Sequence, residues 1–127
     1  MEERKLLIVE DDAALRQLLR ISLEGLEDEG VRLLIAQDGQ QALDAIQAER
    51  PNLVLLDVMM PKLTGFQVCE IVKHEWGYDD VYIILLTSKG QESDVARGKA
   101  SGADLFMTKP FDPDGILHKA REILGLL

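Results

Sequence analysis

Four short apolar runs each end on a polar side chain: LLIV on Glu10 and Asp11, LVLL on Asp57, YIILL on Thr87 and LFMT on Lys109. If those runs are parallel strands, their carboxyl ends meet along one edge, where open α/β sheets carry their ligand sites. Three carboxylates gathered there repel one another and hold their protons more tightly unless a cation neutralises them. Oxygen donors with room for water suit a hard divalent ion, Mg²⁺ or Mn²⁺. No histidine stands at a strand end to favour zinc. A metal, an ammonium and a hydroxyl around one carboxylate supply what phosphoryl transfer to that carboxylate demands, since the catalysis is mostly alignment and charge neutralisation. Asp57 is then the nucleophile and an aspartyl phosphate the product. The metal, Lys109 and either the Thr87 hydroxyl or a backbone N–H share the phosphoryl oxygens. Pro110 and Phe111 directly follow Lys109, and a fixed X-Pro bond there, cis or trans, aims the ammonium inward.

Apolar runs alternate with segments of helical period, the pattern of a doubly wound α/β domain. The spacing predicts strands over 5–9, 31–36, 52–56, 81–86 and 104–108. LVLL and YIILL are continuous rather than alternating, as in strands covered on both faces. VRLLIA is interrupted by Arg32, as at a sheet edge. The first helix carries Leu15, Leu18, Leu19, Ser22 and Leu23 on one stripe with Leu26 continuing it, and Asp12 as N-cap. A second, over 40–49, packs Ala42, Leu43 and Ile46 and stops before Pro51. The third, over 64–75, carries Phe66, Val68, Cys69 and Val72, and Gly77 opens the loop to strand four. Helix four, over 91–101, is the weakest: its apolar stripe is only Val95, Ala96 and Ala100. Gly98 in its interior costs about 1 kcal/mol relative to alanine. Such a helix is a candidate moving part. Helix five packs through Ile116, Ala120, Ile123 and Leu127, while His74, His118, Ser88 and Lys89 are expected in solvent.

The 127 residues, 46% hydrophobic and 29% charged, fit one soluble domain spanning 1–127. A net charge of −9 argues against direct contact with nucleic acid, whose phosphates attract basic surfaces. A single cysteine rules out an internal disulfide and fits a reducing compartment. Cys69 lies at helical intervals from Phe66 and Val72, the spacing of a core thiol. The charged start MEERK leads straight into a strand, with no signal peptide and no membrane span, so the cytoplasm is expected.

The segments LLIVEDD, LVLLDVMMPKLTG, YIILLTS and GADLFMTKPF, in this order and spacing, resemble the receiver domain of two-component response regulators along the whole chain. That resemblance implies a three-layer fold with five parallel strands in the order 2-1-3-4-5 and five helices. It implies that Asp57 accepts a phosphoryl group from a histidine kinase or a phosphotransfer protein. Asp11 would bind Mg²⁺ directly, Glu10 through water and Met59 through its backbone carbonyl, with Mn²⁺ able to substitute. Lys109 would contact the phosphoryl group, Thr87 would move toward it, and Phe106 would turn inward with Thr87. The face of helix four, strand five and helix five would meet a downstream protein target, an output domain or a second copy of the chain.

Two residues depart from the commonest pattern. Glu10 stands where many relatives have aspartate, though its longer arm still reaches through a water. Phe106 replaces the frequent tyrosine, which keeps the packing half of the switch and removes its phenolic hydroxyl. Met59 and Lys89 flank the expected phosphoryl site, where relatives tune phosphate lifetime. The chain then reads as a phosphorylation-dependent signalling switch rather than an enzyme, either stand-alone or part of a longer transcription factor or hybrid kinase. Three rivals remain: a vestigial, interaction-only receiver, an aspartyl-phosphate phosphatase and a nucleotide- or flavin-binding module. Haloacid dehalogenase-like phosphatases want a second aspartate two residues after the nucleophile, where this chain has Met59. Against the nucleotide reading, the turn after strand one has no glycine loop and its acids repel phosphate.

Overall fold

Strands β1 (Arg4–Val9), β2 (Val31–Ala36), β3 (Leu53–Asp57), β4 (Tyr82–Thr87) and β5 (Leu105–Thr108) form one parallel sheet in the order β2-β1-β3-β4-β5. The computed structural model describes residues 3–88 and 92–127, with backbone alone over 92–94. The strand positions, the edge placement of β2 and the order all match the expectations. Helices α1 (Ala13–Leu23), α2 (Gly39–Glu49), α3 (Gly65–Glu70), α4 (Glu92–Ala100) and α5 (Pro113–Ile123) cover the two faces.

Successive residues of a strand point to opposite faces, so each central strand feeds two cores. Leu7, Val9, Val54, Leu56, Ile83 and Leu85 pack with Ile46 of α2 and Phe66, Val68 and Cys69 of α3. Leu6, Ile8, Leu53, Leu55, Ile84 and Leu86 pack with Leu19 and Leu23 of α1 and Ile116 and Ala120 of α5. This explains why those three strands read as continuous apolar runs. At the β2 edge, Arg32 lies 3.1 Å from Glu49 and 3.8 Å from Glu3.

Helix starts follow local chemistry. Asp12 Oδ1 accepts the Leu15 amide at 2.9 Å and Asp38 Oδ1 that of Gln41 at 2.8 Å. Thr64 and Gln67 form a reciprocal capping box at the start of α3. Arg50, in the left-handed region at φ 48°, ends α2 ahead of Pro51.

Several details differ from the sequence reading. Leu18, expected on the inner stripe, is 48% exposed. Leu19 and Leu23 already fill the face that α1 turns to the sheet, and Leu18 sits about 100° around the helix from Leu19. After Leu23 the chain tightens into a 3₁₀ segment, Glu24–Glu29, which brings Leu26 inward. The third helix is not uniform: beyond Glu70 it widens into a π turn, Ile71–Glu75, with the Trp76 amide bonded to the Ile71 carbonyl at 2.9 Å. That turn grips the end of α4 and the loop beyond it, with His74 Nε2 2.9 Å from the Ala100 carbonyl and Lys73 2.8 Å from Asp104 just ahead of β5. His74 is therefore exposed but engaged. Leu127 is exposed rather than docked, because α5 ends at Ile123 and buried Leu124 takes the last core place. Gly98 proves to be a seat: a Cβ there would overlap the ring of Phe106. Lys89 lies outside the described residues.

Gly65 is the tightest junction between α3 and the end of β3. A Cβ on it would collide with the Asp57 carbonyl oxygen and come within 3.0 Å of the Val58 Cα, both backbone atoms. Alanine at an open helical position gains about 1 kcal/mol over glycine. Gly65→Ala should instead lose about 2 kcal/mol by overpacking, read as a lower urea midpoint. A midpoint equal to or above wild type would show that this junction yields freely.

Candidate functional site: an acidic crevice at the carboxyl edge of the sheet

Register brings the polar strand ends into line. Val9 pairs with Leu56, Asp57 with Leu86 and Thr87 with Thr108, so Glu10 and Asp57 emerge side by side and Lys109 follows one edge further. The Lys109 amide bonds to the Thr87 carbonyl at 2.7 Å, and the Lys109-Pro110 bond is cis. Glu10, Asp57 and Thr87 are only 1%, 3% and 2% exposed, whereas Asp11 faces solvent. Carboxylate oxygens of Glu10, Asp11 and Asp57 lie within 4.8 Å of one another. The Lys109 ammonium stands 2.8 Å from Asp57 Oδ1 and 2.9 Å from Glu10 Oε1. Glu10 Oε2 accepts the Asp12 amide at 3.2 Å.

Charge in this crevice is only partly balanced. Burial pushes the Glu10 carboxyl from its ordinary 4.5 up to about 7, with the Asp57 charge adding to the rise. The hydrogen bonds from Lys109 and the Asp12 amide oppose it without overcoming it. For Lys109, burial alone would lower the ammonium's pKa, but its bonds to Asp57 and Glu10 prevail and hold it above its ordinary value. One ammonium cannot neutralise three carboxylates, and the donors are all oxygen, with no histidine or cysteine in the cluster among the described residues. The crevice fits a hard divalent cation.

The other expected residues fall nearby. Met59 follows β3 by two residues and is 70% exposed. Phe106 is half-buried on β5, packed against the core beneath Gly98 of α4. One contact was not legible in the sequence: Arg16, on the first turn of α1, donates from Nη1 to the carbonyls of Glu10 at 2.9 Å and Asp11 at 3.3 Å. Its position one turn after the N-cap was the sole available hint.

The profile of the response regulator receiver domain matches residues 6–121. The chain belongs to the response regulator receiver family. It is similar to the probable transcriptional regulator ycf27 of Cyanophora paradoxa, at 39% identity over 98% of this chain and 49% of that protein. It also resembles the DNA-binding response regulator MtrA of Mycobacterium tuberculosis, at 41% identity over 93% of this chain and 49% of that protein. This receiver thus spans about half the length of the curated relatives it matches. The solved Vibrio cholerae chemotaxis protein CheY4 overlays it with a TM-score of 0.84 at 32% identity, covering 97% of this chain and 100% of that one. No helix of the receiver among the described residues is long and apolar enough to cross a membrane.

The state of Glu10 generates a pH dependence. Its proton is held more tightly in the folded receiver than in an unfolded chain, so its contribution to stability is full below pH 4.5 and is lost as pH rises through about 7. In chelator-treated buffer, wild type should therefore lose about 3 kcal/mol relative to Glu10→Gln across that window. Urea unfolding at several pH values measures it; parallel curves for the two proteins would show that Glu10 does not carry the shift.

Proposed function

We propose that this receiver is a phosphorylation-dependent signalling switch whose acceptor is Asp57. The single observation that supports this most strongly is the Lys109 ammonium bonded to Asp57 inside the carboxylate cluster, 2.8 Å from Oδ1. A histidine kinase or phosphotransfer protein is the donor: an Asp57 oxygen attacks phosphorus in line as the bond from phosphorus to the donor's imidazole nitrogen breaks. Mg²⁺, or Mn²⁺ in its place, held by Asp11, Asp57, the Met59 carbonyl and Glu10 through water, would supply neutralising charge to the phosphoryl oxygens. Lys109 contacts one phosphoryl oxygen, exchanging a carboxylate partner for a more highly charged one. Thr87, buried at the end of β4, follows the new charge with its hydroxyl. Phe106, lacking a hydroxyl, responds only by repacking under α4.

The change is read on the face formed by α4, β5 and α5, where an output partner, an output domain or a second copy would bind. Phosphorylation shifts that equilibrium only by the difference in free energy between its states, and a swing from 1% to 99% active needs about 5.5 kcal/mol. The domain regulates and does not turn over substrate, and it works in the cytoplasm. MtrA is named as DNA-binding, and this chain matches half of it. This chain's own net charge of −9 argues against direct DNA contact by the receiver itself. Against the vestigial reading, all three acids and the lysine are present and convergent.

Intact-mass analysis after incubation with acetyl phosphate, with and without Mg²⁺, tests this. Wild type should gain one phosphoryl adduct that needs Mg²⁺, and Asp57→Asn should gain none while unfolding at a similar urea midpoint. Mg²⁺-dependent labelling of Asp57→Asn at the wild-type rate would remove Asp57 from the role. Absence of both an adduct and any response to beryllofluoride would favour an interaction-only domain.

A further inference from the structure

The two buried carboxylates of the crevice are each held by hydrogen bonds to their own oxygens. Lys109 and the Asp12 amide secure Glu10, and Lys109 secures Asp57. Asp11 is different. It is exposed, and no hydrogen bond to its carboxylate exists among the described residues. Its side chain nonetheless joins the cluster within 4.8 Å. Its aim is set by the backbone that carries it.

The sheet does so only as far as Glu10, whose amide makes the last rung on the Ala36 carbonyl at 3.2 Å. Beyond that rung, Arg16 Nη1 donates to the carbonyls of both Glu10 and Asp11. Those carbonyls belong to the two peptide planes that flank the Asp11 Cα, and two fixed planes set φ and ψ and hence the direction of the Cα–Cβ bond. Arg16 is itself anchored, since its amide bonds to the Asp12 carbonyl at 2.9 Å while the Asp12 side chain caps the helix.

We propose that Arg16 is a positioning residue that presets Asp11 for the divalent cation of this crevice, acting through the backbone of the turn from β1 to α1. The proposal rests on the metal-binding reading given above. A guanidinium suits the task because it is planar and always charged and presents several donors in a rigid fork, while an ammonium is a single mobile point. Supports of this indirect kind typically contribute 10–100-fold to metal affinity.

Calorimetric titration of the full chain with Mg²⁺ tests it, on wild type, Arg16→Ala and Arg16→Lys, with urea midpoints in chelator as the fold readout. Both variants should bind Mg²⁺ about 10-fold more weakly. Arg16→Lys keeps the charge and guards against loss of fold in the alanine variant. Unchanged Mg²⁺ affinity in Arg16→Ala would overturn the proposal, and so would wild-type affinity in Arg16→Lys, which would reduce the effect to charge alone. Wild type that binds no Mg²⁺ would instead sink the underlying metal-site reading, so the two failures are distinguishable.

Discussion

Lys109 extends from the end of the edge strand past β4 to β3 and β1. It places its ammonium 2.8 Å from Asp57 and 2.9 Å from Glu10, two side chains that the sheet has taken out of water. Removing the ammonium would leave two buried carboxylates uncompensated, a change that typically costs about 3–5 kcal/mol. The ammonium thus holds three strands to one another at their carboxyl ends. It remains outnumbered by the carboxylates, and that residual imbalance is what makes the crevice receptive to added positive charge.

Holding the polar ends in line also solves a problem of register. A strand that alternates polar and apolar residues resists slipping by one position, because a slip turns its apolar set to water. β3 and β4 are buried on both faces and lack that safeguard. Their register is set by what cannot be buried at either end. At the amino edge the Asn52 side chain accepts the Lys5 amide at 2.8 Å, and its backbone bonds Lys5 and Tyr82. At the carboxyl edge Asp57 and Lys109 do the equivalent.

The elements whose outcome depends on near neighbours were legible in the sequence. Four of the strands declare themselves by unbroken apolar runs and β2 by a run that only Arg32 interrupts, Asp12 by its place before a periodic segment, and Cys69 by its spacing within the core stripe of α3. The convergence of Glu10, Asp11, Asp57 and Lys109 was legible as well, because each sits at a strand end and parallel strands finish together. What escaped depends on contacts between distant segments. The π turn of α3 is drawn out by Lys73 reaching Asp104 and His74 reaching the end of α4. Gly98 looks like a defect on helix propensity and is explained only by a ring from β5. Leu18 has the right period but lies beyond the width of sheet that one helix can cover. Arg16 resembles any solvated helix residue until its side chain is seen folding back onto the turn that follows β1.

The two margins of the sheet differ in how they meet other molecules of the same protein. At β2, Arg32 is tethered to Glu49 and Glu3, so an arriving strand would have to displace a solvated cluster of charge. At β5, Leu105, Phe106 and Met107 follow one another without a charge and are half-buried. An uncharged, apolar sheet margin is the kind that recruits further strands when it is uncovered. Any loosening of α4 would begin that uncovering, and self-association should start there rather than at β2. The close fit of Phe106 against Gly98 therefore does more than fill space: it ties α4 to the one margin of the sheet that carries no charge of its own.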